Sequence, residues 1–326
     1  MRGRDGLMVL AIGGHSLLDP GREPTVENQF DVTMNAMGPV AELIAAGTRI
    51  VLTHGNGPQV GFMQRRSEMA SGELPEVPLD SLVADSQGAI GYMIERSLRA
   101  RLAERDHTDP VVTILTEVEV DPSDPAFDDP DKPIGRFLDP AEGAELARAR
   151  GWQTAYDPKR GVRRVVASPL PKRIVELDTI AKLVDLGVTV VCCGGGGIPV
   201  AQMPDGRTVG LEAVIDKDRV SMLLAIELGA PRLVITTSTD RVYTGYYGPD
   251  PVGHSRLSVD QARAFAAAGE FPAGSMGPKI EAAIGYLEAV DGEAIVCQPD
   301  DLLDALAGRA GTSMTRASQN RNPIAK

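Results

Sequence analysis

Three lysines and two aspartates are the residues of this chain best suited to handling a phosphoryl group. Lys217 lies in Ala213-Val-Ile-Asp-Lys-Asp218, where an apolar strand meets a charged helix start. Lys279 closes Gly274-Ser-Met-Gly-Pro-Lys279, whose Pro278 suits the first turn of a helix. Lys132 sits in Lys132-Pro-Ile-Gly135, at the tip of a proline-rich excursion. Lysine is a compact point charge that matches phosphate oxygens, and phosphoryl transfer is chiefly positioning plus charge neutralisation. Asp216 and Asp218 flank Lys217 and can hold lysines in register or contact a divalent cation. Any one of these lysines alone reads as a solvated surface charge. Their chemistry depends on what stands beside them.

Three glycine turns stand beside them, each after a short apolar run. Leu7–Ile12 leads into Gly13-Gly14-His15-Ser16, and Ile50–Leu52 into Thr53-His54-Gly55-Asn56-Gly57-Pro58. Val188–Cys193 leads into Gly194-Gly195-Gly196-Gly197. A strand that ends in glycine before a helix start aims backbone N–H groups at an anion. In open α/β sheets the ligand lies beyond the carboxyl ends of such strands. One such turn is an ordinary turn; three predict a phosphate or small-anion site.

The elements that must carry these turns alternate. Apolar runs of five or six residues separated by helix-like stretches predict βαβ units and a mostly parallel open sheet, an α/β fold. Helices are expected at 27–46, 81–105 (interrupted at Ser86-Gln87-Gly88), 140–150, 173–186, 216–228, 258–268 and 278–290. Strands are expected at Val111–Val118, 232–237 and 293–297, with a hairpin across Trp152–Val166. Residues 119–138 are dense in proline and aspartate, yet Phe127, Ile134 and Phe137 argue for an ordered protrusion. The expected organisation is an N-terminal lobe over 1–205, with the protrusion at about 121–167. A C-terminal lobe follows over 206–316, and residues 317–326 read as a disordered tail.

Composition narrows the classes. The net charge of −12 and aromatic content of 4% argue against non-specific nucleic-acid binding. No apolar run approaches the ~20 residues that span a bilayer, and the N-terminus enters a strand too early for a signal peptide. Cys192, Cys193 and Cys297 lie in apolar runs without zinc spacing and read as buried thiols of a cytoplasmic protein. Neither GxxxxGK[ST] nor a supported GxGxxG occurs, and HExxH and GxSxG are absent.

The chain resembles the carbamate kinases of the amino acid kinase family from about residue 7 to 316. The resemblance is carried in order by THGNGPQVG at 53–61, SQGAIGYM at 86–93, DPAFDDPDKPIG at 124–135, RRVVASP at 163–169, GGGGIPV at 194–200, EAVIDKD at 212–218 and PAGSMGPK at 272–279. It implies a three-layer αβα sandwich, a small subdomain protruding over the site, a homodimer, and reversible phosphoryl transfer between ATP and carbamate with Mg2+. By matching motif, Lys132, Lys217 and Lys279 would act on the transferring group and Asp218 would orient the lysines. Gly13, Gly14, His15, Gly55, Asn56 and Gly57 would bind the acceptor and γ-phosphate. Asp216, Lys217, Thr237, Tyr243, Met276, Gly277 and Lys279 would bind the nucleotide. No protein-held metal site is expected.

Four positions depart from the family's pattern. His15 stands where an asparagine is usual, and Leu170 where a lysine is common. Ser238 and Arg241 replace an aspartate and a glycine frequent in the superfamily. His15 leaves open a kinase for a different small carboxylate or carbamate-like acceptor. A non-catalytic sensor of nucleotide or carbamoyl phosphate is the remaining reading, and four site residues kept together weigh against it.

Overall fold

A computed structural model of the chain describes residues 6–316 other than Pro20, Lys159 and Ala273, and leaves the His15 side chain undescribed. The tail expected at 317–326 lies outside the described residues. The central sheet has eight strands in the order Arg256–Ser258, Thr312–Thr315, Glu293–Cys297, Arg232–Thr236, Leu7–Ile12, Arg49–His54, Thr189–Val191 and Val111–Thr113. All neighbours run parallel except Glu293–Cys297 against Thr312–Thr315.

Why this is a sandwich follows from the period of a strand. Successive side chains point to opposite faces, and every residue of Leu7–Ile12 is buried. Leu7, Val9 and Ala11 enter one hydrophobic core with Ile180, Leu224 and Ile280. Met8, Leu10 and Ile12 enter another with Met37, Ile94 and Leu302. Helices Leu177–Asp185, Lys217–Glu227 and Met276–Ala289 therefore cover one face, and Val26–Ala45, Leu79–Ala103 and Leu302–Leu306 cover the other. This is the three-layer αβα architecture. A continuous apolar run, rather than an alternating one, is what a doubly covered strand requires.

Three local expectations are corrected. Ser86-Gln87-Gly88 does not break its helix, which runs unbroken over Leu79–Ala103. The Ser86 hydroxyl bonds back to Val83 O at 2.7 Å, and a helix of this length absorbs the ~1 kcal/mol that a glycine costs. Val111–Val118 is two strands, Val111–Thr113 in the large sheet and Glu117–Val120 in a four-stranded sheet with Thr208–Gly210, Ile198–Gln202 and Pro171–Ile174. That second sheet also claims the start of the stretch expected as helix 173–186: Arg173 and Ile174 pair with Glu119 and Val118, and the helix begins at Leu177.

The proline-rich excursion is ordered. Lys132–Leu138, Gly161–Val166 and Gln153–Asp157 form a three-stranded antiparallel sheet, and Pro140–Arg150 is a helix. Asp139 caps that helix, accepting from Ala141 N and Glu142 N at 2.9 Å each. In this sheet Lys132 pairs with Val166, which fixes where its side chain departs.

Candidate active site

The glycine turns converge at the carboxyl ends of three adjacent strands. Gly13 N donates to Thr236 Oγ1 at 3.0 Å, and Gly55 N donates to Ile12 O at 2.9 Å. Gly14 and Gly55 touch so closely that a methyl group on Gly55 would lie 2.7 Å from Gly14 N and 3.2 Å from Lys217 Cδ. Only glycine permits this contact. It puts the first two turns and the Lys217 stem in one place, although Lys217 is more than 160 positions away in sequence.

Lys217 opens the Lys217–Glu227 helix, whose cap is Asp216: its Oδ1 accepts from Asp218 N at 2.8 Å and from Arg219 N at 3.4 Å. With one carboxylate oxygen spent on the cap, Asp216 Oδ2 receives Lys132 Nζ at 2.7 Å. The protruding sheet is thereby tied to the start of the Lys217–Glu227 helix. Asp218 does more. Its Oδ1 takes Lys217 Nζ at 2.5 Å and its Oδ2 takes Lys279 Nζ at 2.8 Å, so one carboxylate holds two ammonium groups side by side.

The electrostatics of this cluster are those of buried charge. The Asp218 side chain is 4% exposed, and those of Lys217 and Lys279 are 13% each. Burial alone would raise the Asp218 carboxyl, but the ammonium groups of Lys217 and Lys279 outweigh it and bring it down to about 2. Burial pulls Lys217 down from its ordinary value, against the pull of Asp218. Asp216 also sits below the ordinary carboxylate value: burial opposes this, and Lys132 prevails. Two cations on one anion leave an excess positive charge, and the Lys217 stem places part of it beside the Gly14–Gly55 contact.

Asn56 is fixed by its amide, which donates from Nδ2 to Ser86 Oγ at 2.8 Å. The third turn packs on it: Gly195, at φ +67°, has no side chain, and a methyl group there would lie 2.0 Å from Asn56 Nδ2. Gly195→Ala is expected to dislodge Asn56, in addition to the left-handed strain of about 1–2 kcal/mol. Turnover should fall at least tenfold with a lowered melting temperature, read by steady-state kinetics and calorimetry; full activity would show that Asn56 need not stay where Ser86 holds it.

Several supporting residues were not anticipated from the sequence. The Ser221 hydroxyl donates to Lys217 O at 2.7 Å and lies 2.7 Å from Thr53 Oγ1, joining the second turn to the Lys217 helix. Gln87 fastens the third turn, donating from Nε2 to Gly194 O and Thr116 O at 3.1 Å each and accepting from Thr116 N at 2.7 Å. His54 is fully buried, 3.1 Å from Gly55 O through Nδ1, and burial pushes its imidazole down to about 4. Polar residues at the end of an otherwise apolar strand, Thr53 and His54, were the visible signal. Ser221 carried none, and Gln87 showed only as part of SQGAIGYM, with no role attached.

His54 yields a pH prediction. Its folded-state pKa lies below the unfolded value of 6.5, so the unfolded chain binds the extra proton between pH 6.5 and about 4. Its stability contribution is complete above pH 6.5 and is lost as pH falls through that window, by about 3 kcal/mol. Urea unfolding across pH 4–7 should show this slope in the parent, and His54→Gln should flatten it. An unchanged slope would contradict a neutral buried imidazole.

The remaining expected residues are dispersed around the cluster. Gly57 begins the Gly57–Ala70 helix with Pro58 in its first turn. Met276 and Gly277 start the Met276–Ala289 helix, which carries Lys279 on its first turn; Gly277 N bonds to Pro272 O at 2.9 Å. Thr237 N bonds to Cys297 O at 2.9 Å, just past the end of its strand. Tyr243 lies in Val242–Thr244, its hydroxyl donating to Asp240 at 3.0 Å and its ring 5.9 Å from that of Tyr246. No described hydrogen bond joins Tyr243 to the lysines. His15 lies in the turn Gly14–Leu17, and its side chain is outside the described part of the structure. Leu170 is exposed, its N–H donating to Asp124 at 2.9 Å. Among the described residues no three His, Cys, Asp or Glu side chains converge to hold a metal ion.

A doubly covered parallel sheet, glycine turns at its carboxyl edge and paired lysines define a phosphotransferase of the amino acid kinase type, and that family's model matches residues 6–298. The chain belongs to the amino acid kinase family, on its carbamate kinase branch. It is 43% identical over 313 residues to the carbamate kinase-like protein YahI of Escherichia coli, covering 95% of this chain and 99% of that one. It is 42% identical over 310 residues to the carbamate kinase of Pyrococcus furiosus, covering 94% and 98%. Among solved structures, the carbamate kinase of Giardia lamblia bound to AMP-PNP superposes with a TM-score of 0.89 at 36% identity, covering 95% of this chain and 98% of that one.

Proposed function

We propose that this protein transfers a phosphoryl group reversibly between ATP and carbamate, carbamoyl phosphate plus ADP giving carbamate plus ATP. The observation that carries the reading is Asp218 holding Lys217 and Lys279 on its two oxygens beside the Gly14–Gly55 contact. A β-phosphate oxygen of ADP attacks the phosphorus, the bond to the carbamoyl oxygen breaks, and carbamate leaves with the electron pair. Both reactants are already anions, so no general base is required. The enzyme's task is to align donor and acceptor and to offset charge spread over the equatorial oxygens.

Each residue has a part in this scheme. Lys217 and Lys279 meet the transferring group, and Asp218 keeps them from moving apart. Lys132 leaves Asp216 for the substrate as the protruding sheet settles over it. Gly13, Gly14, Gly55 and Gly57 offer backbone N–H groups, and Asn56 its amide, and His15 would join them in binding the acceptor. Asp216, Thr237, Tyr243, Met276 and Gly277 border the nucleotide. Asp216, the more open of the two carboxylates, is the residue that would hold Mg2+, which when bound would offset phosphate charge. The same reading makes the protein a cytoplasmic homodimer, and three buried free thiols suit a reducing compartment.

The choice of acceptor is tested by ATP consumption with carbamate, acetate, formate and propionate. Carbamate is expected to give the fastest turnover, and His15→Asn to retain it within a few-fold. A faster rate on another carboxylate, lost in His15→Asn, would move the assignment to that acid.

A further inference from the structure

A second cavity lies away from the lysine cluster, between the protruding sheet and the Gly57–Ala70 and Leu79–Ala103 helices. It encloses about 600 Å3, and a niche of about 20 Å3 adjoins it. None of Lys132, Lys217, Lys279, Asp216 or Asp218 lines either space. Gln64, Glu68, Trp152 and Arg164 line both, so they stand where the niche opens into the cavity.

The chemistry at that opening has two signs. On one side Gln64 is 7% exposed, and its Oε1 is buried with no hydrogen-bond partner. A buried acceptor left unpaired is unfavourable, and a donor placed in the niche would satisfy it. Beside it, Glu68 is 14% exposed; Arg65 stands 3.5 Å from it, and the Arg136 guanidinium that also lines the niche is paired with Glu142. On the other side Arg164 is 15% exposed; of a guanidinium's five N–H donors, its described hydrogen bonds use one, to Glu212 at 2.7 Å. Arg164 and Arg150 both stack on Trp152, with the guanidinium carbons 4.9 and 5.4 Å from the ring centroid. Arg150 is already held by Glu76 at 2.8 Å, so the Arg164 fork is the one the indole keeps ready for a carboxylate. Val77, Leu79 and Leu82 supply apolar wall to the larger space.

We propose that this cavity binds a free α-amino acid with an apolar side chain. The niche has room for one small polar group, which is the size of an ammonium. An ammonium there satisfies Gln64 Oε1 and Glu68, and the adjacent carboxylate meets Arg164. The side chain extends along Trp152 into the larger space. A zwitterion is selected because the two complementary charges meet at one opening. The occupant would press on Gly161–Val166, the strand that pairs with Lys132, so it also has a route to the phosphoryl site.

Trp152 is the sole tryptophan of the chain, so its fluorescence reports this cavity directly. Titration of the whole protein with L-phenylalanine should give a saturable change in emission excited at 295 nm. Phenethylamine, lacking the carboxylate, and 3-phenylpropionate, lacking the ammonium, should each bind at least tenfold more weakly. Glu68→Gln and Gln64→Leu should weaken L-phenylalanine at least tenfold and leave 3-phenylpropionate unchanged, with melting temperatures confirming that both variants fold. No saturable change at 20 mM, equal binding of the three compounds, or binding unaltered in both folded variants would overturn the assignment.

Discussion

Lys279→Ala is expected to lower kcat about 10³-fold while moving the KM for Mg-ADP by no more than a few-fold. The reasoning starts from Asp218. Its two oxygens carry two lysines, and in the variant one ammonium remains where the charge of a passing phosphoryl group needs two. A preorganised charge aimed at the transition state contributes about 3–4 kcal/mol in a water-poor site, which is a factor of 10²–10³. Lys279 is already neutralised by Asp218 before reaction, so it adds less to ground-state binding than to the passing charge. Steady-state kinetics separates the two. A loss confined to KM would show that Lys279 serves binding alone.

Asp218→Leu should lower stability by about 3–5 kcal/mol at pH 7, because two buried ammonium groups would lose their shared anion. The sign of its pH dependence follows. Lys217 is already pulled below its ordinary value by burial, and without Asp218 it is pulled further. A depressed folded pKa means that stability is greatest above the unfolded value near 10.4 and declines as pH falls. The deficit of the variant should therefore shrink as pH rises from 7 toward 10, the reverse of ordinary alkaline loss. Combining Lys217→Met, Asp218→Leu and Lys279→Met should restore much of the stability while leaving no turnover. Urea unfolding at pH 7 that matches the parent would contradict the burial of these charges.

The fold and site were unequally legible in the chain. Buried strands show themselves because sheets covered on both faces need unbroken apolar runs, and Leu7–Ile12 enters two cores at once. Glycine turns show themselves because Gly55 and Gly195 sit where a methyl group would collide with Gly14 and Asn56. What joins the lysines was visible only in part: the resemblance gave Asp218 as the residue that orients them, and the Lys132–Asp216 pair went unread. Lys279 and Asp218 are 61 positions apart, and Lys132 and Asp216 are 84 apart; nothing in local composition says which carboxylate serves which lysine. Ser86-Gln87-Gly88 reads as a helix break because serine and glycine are weak helix formers. The structure instead uses the buried face of an intact helix to hold Asn56 and the third turn. Likewise, the strand Pro171–Ile174 owes its conformation to pairing with Glu117–Val120, a contact that helix-like periodicity cannot register.

The central claim is that paired lysines on one carboxylate move a phosphoryl group between carbamoyl phosphate and ADP. Formation of ATP from carbamoyl phosphate and Mg-ADP, followed by a coupled assay with Lys279→Ala alongside, tests it most directly. The parent should produce ATP at a rate that depends on both reactants, and Lys279→Ala should produce it about 10³-fold more slowly. A parent protein that binds ADP yet forms no ATP, or a variant as fast as the parent, would contradict it.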